Sequence, residues 1–506
     1  MQYFLAAVPI LTLLGLMTLL RWSGLRAGPV SWLVCLAVAG LAFGLTPQVW
    51  WVSQVKGLLL SVYLLIVLWT SLLLYNLVQQ AGGIEALAQM LERSLGDRSL
   101  LLVLIAWAFS GILEGLAGLG LPIAISAPIL VGLGISPLTA VAAAAVGHAW
   151  SITFGNMGVV FQTLMGLTGL EAAELYPYPA LMLGFTCVVC GLAAALILGQ
   201  GRRWLAVIAL GLLMAGVQYG LAAAGLPGLG ALGAGLAVIF VSILLRKRSA
   251  NAHTTENAKT PTARLLAGLG SYGGLAILMT LLSLPGRIHD AAYPLMWRMS
   301  FDAVTTRNGF TTPAGYGPVF RLWMHPGTSI LITALVSYVV YRLSGLAQAG
   351  AMRSAARATW KAAAPTSIGV IATVGLATMM DHCGMSMLLA QGLADSMGAV
   401  FPIVSPLVGM LGAFATGSNN NSNVLFVSLQ KNVALLLHIN PLILIATQTT
   451  GGALGSMIAP AKLIVGCSTV NLLGKEGEAL RRTLPWGIGI GLLVGLVALA
   501  LAAVPF

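Results

Sequence analysis

Apolar runs of roughly 17 to 25 residues recur along almost the whole chain, separated by short polar or charged stretches. A helix of about 20 apolar residues crosses about 30 Å of hydrocarbon, so the pattern predicts about 12 transmembrane helices. Ten lie near 3–20, 30–46, 57–80, 179–199, 204–225, 228–245, 265–284, 327–343, 362–381 and 484–504. Two more are interrupted by polar and glycine residues, at VGHAWSITFGNMG (146–158) and TQTTGGALGSMIAP (447–460). The segment 81–98 has the alternation of an amphipathic helix lying in the membrane interface.

Two stretches break the rhythm in another way. LEGLAGLGLP (113–122) and TGSNNNSN (416–423) each separate a pair of short apolar arms, over 99–135 and 399–435. Unsatisfied amides exposed to lipid would each cost several kcal/mol. The asparagine octet is therefore either a surface loop or irregular backbone buried in protein around something polar. The fold class that follows is an all-α polytopic membrane protein with two re-entrant hairpins.

Composition strengthens this reading. The 506 residues are 58% hydrophobic and 8% charged, against about 25% charged in soluble domains. The whole of 1–506 reads as one integral membrane domain in a lipid bilayer, with its first apolar run a retained helix lacking a convincing cleavage site. The net charge of +12 is not a nucleic-acid signature. Its lysines and arginines sit in short clusters between spans (Arg202-Arg203, Arg246-Lys247-Arg248, Arg481-Arg482), as in cytoplasmic loops. These clusters, with Arg21, Arg26, Arg93, Arg98, Arg342, Arg353, Arg357 and Lys361, set the topology. Both termini are expected outside, together with 171–177, 285–325 and the segment holding Asp395. The arginines of 285–325 run against that rule. Five cysteines form no disulfide framework, and Cys187/Cys190 lie within an apolar span without a second ligand pair, so no metal or cofactor is called for.

The chain also repeats itself. LGISPLTAVAAAAVGHA from Leu133 aligns without a gap on LHINPLILIATQTTGGA from Leu437, and 82–96 parallels 383–398. The charges give the span before the first copy one direction and the span before the second the opposite. The expected organisation is therefore two inverted repeats, 56–170 and 360–482, each with an interrupted hairpin and an interrupted span. That pattern points to a secondary transporter with its site near the bilayer midplane.

The candidate chemistry lies at those interruptions. Glu114, flanked by Gly111, Gly115, Gly118 and Gly120, is an acid at membrane depth, which by default marks a pathway or a proton site. Ser418, Asn419, Asn420, Asn421, Ser422 and Asn423 offer neutral donors and acceptors, and short helices ending there direct backbone N–H groups into the turn. Such a set suits the carboxylate and hydroxyl of a small organic anion. His148, Thr153, Asn156, Thr449, Thr450, Gly451 and Gly452 come from the interrupted spans, with Gly115 and Gly118 from the first turn. Lys462 either attracts the anion or snorkels to an interface. Asp381 and His382 are a titratable pair that, with Glu114, are candidates for proton coupling. Arg321 reads as an interfacial anchor.

At these residues the chain resembles the bacterial L-lactate permease family. The resemblance rests on LEGLAGLGLPIAI (113–125), LVGLGISPL (130–138), TGSNNNSNVLF (416–426), TTGGALGSMIAP (449–460) and LLGKEGEALRRT (472–483). It covers roughly 95–170 and 360–485 in order. It implies a monocarboxylate permease taking lactate, and often glycolate, in symport with protons, distantly similar to transporters with paired re-entrant hairpins. By position, Glu114, Ser418, Ser422, Asn423, Thr449, Thr450, Gly451 and Gly452 match the family pattern. The chain departs from it at Asn419, where an acid is usual, at Gly147-His148-Ala149-Trp150, where Asn-Thr-Ala-Pro is usual, and at Gln448, where Asn is usual. Asp381 stands where a neutral residue is expected, as though a carboxylate had moved from one wall of the site to another. These departures leave the substrate and the coupling ion, proton or sodium, open.

Other classes fit less well. An intramembrane enzyme using Glu114 or His382 lacks any HExxH or GxSxG pattern, and LLGKE lacks the glycine spacing and Ser/Thr of a phosphate loop. The sequence expectation is a transporter, not an enzyme, whose partners are a small organic anion, protons and lipid.

Overall fold

The computed structural model describes residues 2–94, 97–116, 118, 120–245, 262–283 and 287–503; the Arg246-Lys247-Arg248 cluster lies outside them. Among the described residues, thirteen helices are long and apolar enough to cross a membrane. The protein is a multi-pass helical membrane protein.

The helices follow in chain order as α1 (Gln2–Thr18), α2 (Gly24–Ala42), α3 (Pro47–Gln80) and the amphipathic α4 (Gly83–Ser94). Next come α5 (Arg98–Leu116), α6 (Leu121–Gly132), α7 (Pro137–His148) and α8 (Val159–Thr168). A middle group comprises α9 (Pro177–Ile197), α10 (Trp204–Ala223), α11 (Gly230–Leu244), α12 (Thr262–Ser283) and α13 (Pro326–Leu343). The last set is α14 (Ala351–His382), α15 (Met385–Met397), α16 (Phe401–Thr416), α17 (Asn419–Leu436), α18 (Pro441–Met457), α19 (Pro460–Thr469) and α20 (Glu476–Ala502). The order long helix, short helix, broken pair, broken pair thus occurs twice, as α3–α8 and as α14–α19. Of the thirteen, Arg98–Leu116 and Met385–Thr416 contain the arms that precede the two polar turns, whereas Gln2–Thr18, at 17 residues, falls below the length limit.

Local chemistry explains where these helices start. Proline occupies the first position of α3, α7, α9, α13, α18 and α19, where a missing N–H costs nothing and φ is preset. Thr46 caps α3 by accepting from the Val49 N–H at 3.2 Å, and Asn440 caps α18 through the Leu442 N–H at 3.0 Å. Inside α5, residues Ile105–Phe109 form a π-helical turn, with the Ser110 hydroxyl donating to the Ile105 carbonyl at 3.0 Å.

Association rests on small residues, as membranes require. A methyl group on Gly451 would lie 2.0 Å from the Pro406 carbonyl oxygen, so α16 and α18 touch backbone to backbone. The glycines of 447–460 therefore serve packing. They do not interrupt the helix as the sequence suggested, and α18 is continuous to Met457. Its break falls at Ile458-Ala459, where Pro460 cannot donate to the preceding turn.

One connection between the helices is built of short strands. Between α12 and α13, strands β1 (Met296–Trp297), β2 (Ser300–Phe301), β3 (Val304–Thr305), β4 (Thr311–Thr312), β5 (Gly315–Tyr316) and β6 (Phe320–Arg321) pair antiparallel as β1·β6, β2·β5 and β3·β4. They make one long hairpin, turned at Asn308-Gly309 with Gly309 at φ +87°. Asn-Gly is a strong hairpin signal, hidden in the sequence among polar connecting residues. The tip is tied to α2: the Arg307 N–H donates to the Gly44 carbonyl at 2.7 Å and Asn308 Nδ2 to the Ala42 carbonyl at 3.0 Å. Two of the hairpin's arginines are held by aromatic faces, Arg298 over Tyr316 at 3.8 Å and Arg321 over Tyr293 at 4.6 Å.

Polar contacts gather at two ends of the helices. Arg321 lies 3.9 Å from Glu171, and Asn440 Nδ2 donates to the Tyr178 hydroxyl at 3.3 Å. At the opposite end, Arg203 pairs with Asp97 at 2.5 Å, Arg98 donates to the Leu133 carbonyl at 2.5 Å, and Arg482 donates to Thr139 at 3.1 Å.

Candidate functional site

The asparagine octet is mostly helix. Gly417 (φ +72°) ends α16, and Ser418 (φ −144°, ψ 122°) is extended and caps α17, its hydroxyl accepting from the Asn421 N–H at 3.4 Å. Only two residues are irregular; Asn419 to Asn423 form the first turn of α17. Asn419 and Asn423 are one turn apart and face the same neighbour. Asn423 Nδ2 donates to Thr449 Oγ1 of α18 at 3.0 Å, and Asn419 Nδ2 to Thr153 Oγ1 at 3.2 Å. The two threonine hydroxyls are themselves 3.0 Å apart. Thr163 of α8 donates to Asn420 Oδ1. Gln448 Nε2 donates to Ser422 Oγ at 3.0 Å, and Ser422 to the Gly409 carbonyl at 2.7 Å. Thr153, Thr163, Asn419, Asn420, Ser422, Asn423, Gln448 and Thr449 are all buried.

Three polar atoms in this cluster have no partner: Asn423 Oδ1, Asn419 Oδ1 and the Thr450 hydroxyl. Buried polar groups are normally paired, so these three atoms are candidates for contact with a polar ligand. Asn419 Oδ1 lies against Gly452, where a methyl would come within 2.0 Å of it. Asn421 is half-buried on the far side of the turn.

The first turn is built on glycine backbone. Gly118 (φ +61°) and Gly120 (φ +86°) lead into α6, and a methyl on Gly118 would sit 3.0 Å from Glu114 Oε1 and 3.4 Å from Asn156 Cβ. Glu114 is buried and its Oε2 is unpartnered. Asn156, itself left-handed at φ +47°, lies in the real break between α7 and α8, with its Oδ1 3.5 Å from the Ser71 hydroxyl. His148 ends α7, with Nδ1 2.9 Å from the Ala144 carbonyl and Nε2 unpartnered. Gly115 stands apart from the turn: a methyl there would meet Leu232 N of α11 at 2.8 Å, so this glycine seats α11.

Each turn is completed by the other half of the chain. The break at 149–158 sends Thr153 to Asn419, and the start of α19 serves both turns at once. A methyl at Gly417 would lie 3.5 Å from Ala461 Cβ, and one at Gly120 3.8 Å from Lys462 Cγ. The N-termini of α6, α17 and α19 thus converge, each contributing partial positive charge. Lys462 is buried there with them, not snorkelling to an interface.

Asp381 and His382 lie elsewhere. Ser428 donates to Asp381 Oδ1, and Ser428 is nine positions beyond Asn419 on α17, about 13 Å along the axis. His382 Nδ1 lies 2.8 Å from the Thr378 carbonyl and its Nε2 3.3 Å from Lys56 Nζ, which also sits 5.1 Å over Phe301 of the hairpin. Asp381 therefore does not refill the wall on which Asn419 stands. Sequence reasoning missed Lys56 because the third span was started at 57, whereas α3 begins at Pro47. It missed Thr163 because a single hydroxyl in an apolar helix carries no periodic signal. A cavity of about 390 Å³ lined by Ile66, Trp297, Phe320, Arg321 and His325 lies at the hairpin root, away from both turns.

Residues 2–505 match the family model described as L-lactate permease. The chain belongs to the L-lactate permease family. It is a transporter and not an enzyme. It is similar to the L-lactate permease of Bacillus subtilis (strain 168), 28% identical over 97% of this chain and 94% of the relative, and to that of Salmonella typhimurium, 26% identical over 97% and 94%. The glycolate permease GlcA of Escherichia coli (strain K12) is 25% identical over 99% of this chain and 95% of its own. A crystal structure of the Alcanivorax borkumensis YdaH transporter has a TM-score of 0.47 at 16% identity, covering 86% of this chain and 84% of that one.

Proposed function

We propose that this family member imports a small 2-hydroxy monocarboxylate, L-lactate or glycolate, in symport with protons across a bacterial cytoplasmic membrane. The observation that carries the reading is the junction of the two turns at the start of α19, where segments carrying unpartnered amide and hydroxyl groups adjoin those of the buried Glu114 and Lys462. Asn423 Oδ1 is an acceptor suited to the substrate hydroxyl, and the Thr450 hydroxyl is a donor suited to its carboxylate. Relatives named for lactate and for glycolate support the substrate class.

Several further elements belong to this proposal. The copies 56–170 and 360–482 are inverted repeats, and the hairpins 99–135 and 399–435 re-enter the membrane from opposite sides. Both termini lie outside. The recurring element order and the charge-matched contacts at each end support this arrangement. Alternating access around the shared junction then moves the anion, with Glu114 carrying the proton. Asn carbonyls also suit a sodium ion, so coupling to sodium, or a different organic anion, is the competing reading. Purified protein in liposomes, given radiolabelled lactate, glycolate or propionate under separate proton and sodium gradients, tests it. Lactate accumulation driven by the proton gradient alone is expected. Accumulation driven only by sodium, or no transport of either hydroxy acid, overturns the proposal.

A further inference from the structure

We infer that Lys462 is the seat of the substrate carboxylate and that ionised Glu114 competes with it through its charge, so the anion binds once protonation of Glu114 has removed that competing charge. This rests on the monocarboxylate reading above and assigns it a specific subsite.

Both side chains lie against the first turn, at glycines two positions apart. Gly118 brings the backbone against Glu114 Oε1 and Gly120 brings it against Lys462 Cγ, at 3.0 and 3.8 Å from an added methyl. Both residues are buried, at 3% and 8% exposed, which is costly for either charge alone. They act on one another electrostatically, yet no ion pair closes between them among the described residues, and Glu114 Oε2 has no partner. A buried acid with an unpartnered oxygen beside a buried amine, with no ion pair closed between them, is a place where a third charged group can compete for the amine. His148, buried at the end of α7, is a further titratable group within electrostatic reach of Lys462.

The neighbours suit a carboxylate of a small hydroxy acid. Ala461, adjacent to Lys462, touches Gly417, so the subsite adjoins the turn carrying Asn419 and Asn423. One substrate can place its carboxylate at Lys462 and its hydroxyl at the amides. The proton comes from water on the entry side, sits on a Glu114 carboxylate oxygen during transit, and leaves to water on the other side. No bond other than O–H forms or breaks.

The test uses the full chain in proteoliposomes, with lactate counterflow and proton-driven accumulation measured from pH 6 to 8. In the wild type, half-saturation rises by up to about tenfold per pH unit, the slope of one coupled proton. Glu114→Gln flattens that dependence to under about twofold, keeps counterflow and loses accumulation. Lys462→Gln raises half-saturation at every pH by about tenfold or more, the value of one charge-assisted contact, while Lys462→Arg stays within a few fold. Lactate added to solubilised wild type takes up about one proton per site, read with an indicator dye, which needs no variant to fold. Wild-type half-saturation in Lys462→Gln, an unchanged pH profile in Glu114→Gln, or no proton uptake overturns the inference. If the wild type moves neither hydroxy acid, the functional reading falls instead.

Discussion

Replacing Thr449 by valine tests whether the amide–hydroxyl cluster recognises substrate or merely fastens helices. The substitution keeps nearly the same shape and removes one oxygen. That oxygen serves two partners, Asn423 Nδ2 and Thr153 Oγ1, each at 3.0 Å. Thr153 retains Asn419 Nδ2 at 3.2 Å, but the Asn423 amide, whose Oδ1 is already unpartnered, is left without any contact in a fully buried position. Orphaning a buried donor costs about 1 to 3 kcal/mol, which corresponds to about 5- to 150-fold in an equilibrium constant. If the cluster orients the substrate hydroxyl, the freed amide turns away and the cost appears in transport. Lactate uptake by Thr449→Val in proteoliposomes is then expected to show KM raised by about tenfold or more, with Thr449→Ser, which restores the oxygen, within about twofold. Propionate, which has no hydroxyl, should discriminate little between the variants. A Thr449→Val protein with a lowered melting temperature but an unchanged lactate KM would refute the assignment and leave the cluster as a structural rivet.

Gly452→Ala places a methyl 2.0 Å from Asn419 Oδ1; it is expected to cost about 1 to 3 kcal/mol and to reduce uptake at least tenfold while the protein still reaches the membrane, measured by transport per purified molecule. Gly384→Ala, at φ +77° and 2.7 Å from the Phe310 ring, should loosen the hairpin tip by about 1 to 3 kcal/mol, seen as faster trypsin cleavage at the exposed Arg307. His325 caps α13 by accepting from the Gly327 N–H at 3.1 Å, and burial holds its imidazole down to about 4 from an ordinary value near 6.5. Its stabilising contribution is therefore complete above about pH 6.5 and is lost as the pH falls towards 4; tryptophan fluorescence should report a transition in that window that His325→Asn, which keeps a capping acceptor, abolishes. Asn419→Asp should raise the lactate half-saturation by about tenfold at neutral pH and steepen its pH dependence, measured by counterflow.

Much of the fold was legible because a bilayer leaves a chain few options. Every backbone group must be satisfied within a helix, so apolar length located most of the uninterrupted spans. The hairpin at 296–321 was not legible, because its strands are only two residues long and its one local signal, Asn308-Gly309, sits among polar connecting residues. The site was legible as composition and less so as conformation. Asparagine and serine at 418–423 read as loop, but a positive-φ glycine and one extended serine suffice to end α16 and start α17, leaving the amides on a helix face. The glycines at 451–455 read as a break, although a glycine in a membrane helix more often lets a neighbour approach, here α16. Glu114 stood out as a lone acid, whereas its relation to Lys462 depends on two chain segments about 350 residues apart, and no local pattern encodes that.

The charge at the junction fits the proposed stoichiometry. With Glu114 ionised and Lys462 protonated, the empty site carries no net charge. A monocarboxylate adds one negative charge and a proton on Glu114 removes it, so the fully loaded site is again neutral, while the half-loaded forms are not. A buried site crosses between orientations most easily when it holds no uncompensated charge, so the empty and doubly loaded forms exchange and the half-loaded forms do not. An acid at 419, which the family pattern led one to expect, would add a second negative charge beside Thr153 and Thr449 and require a second cation to cancel it. Asn419 keeps the geometry of that acid and omits its charge. Asp381 cannot restore it, since the hydroxyl that holds it lies on Ser428, more than two helical turns away. The neutral octet and the single acid–lysine pair together make one proton per anion the stoichiometry that leaves the site neutral at both ends of the cycle.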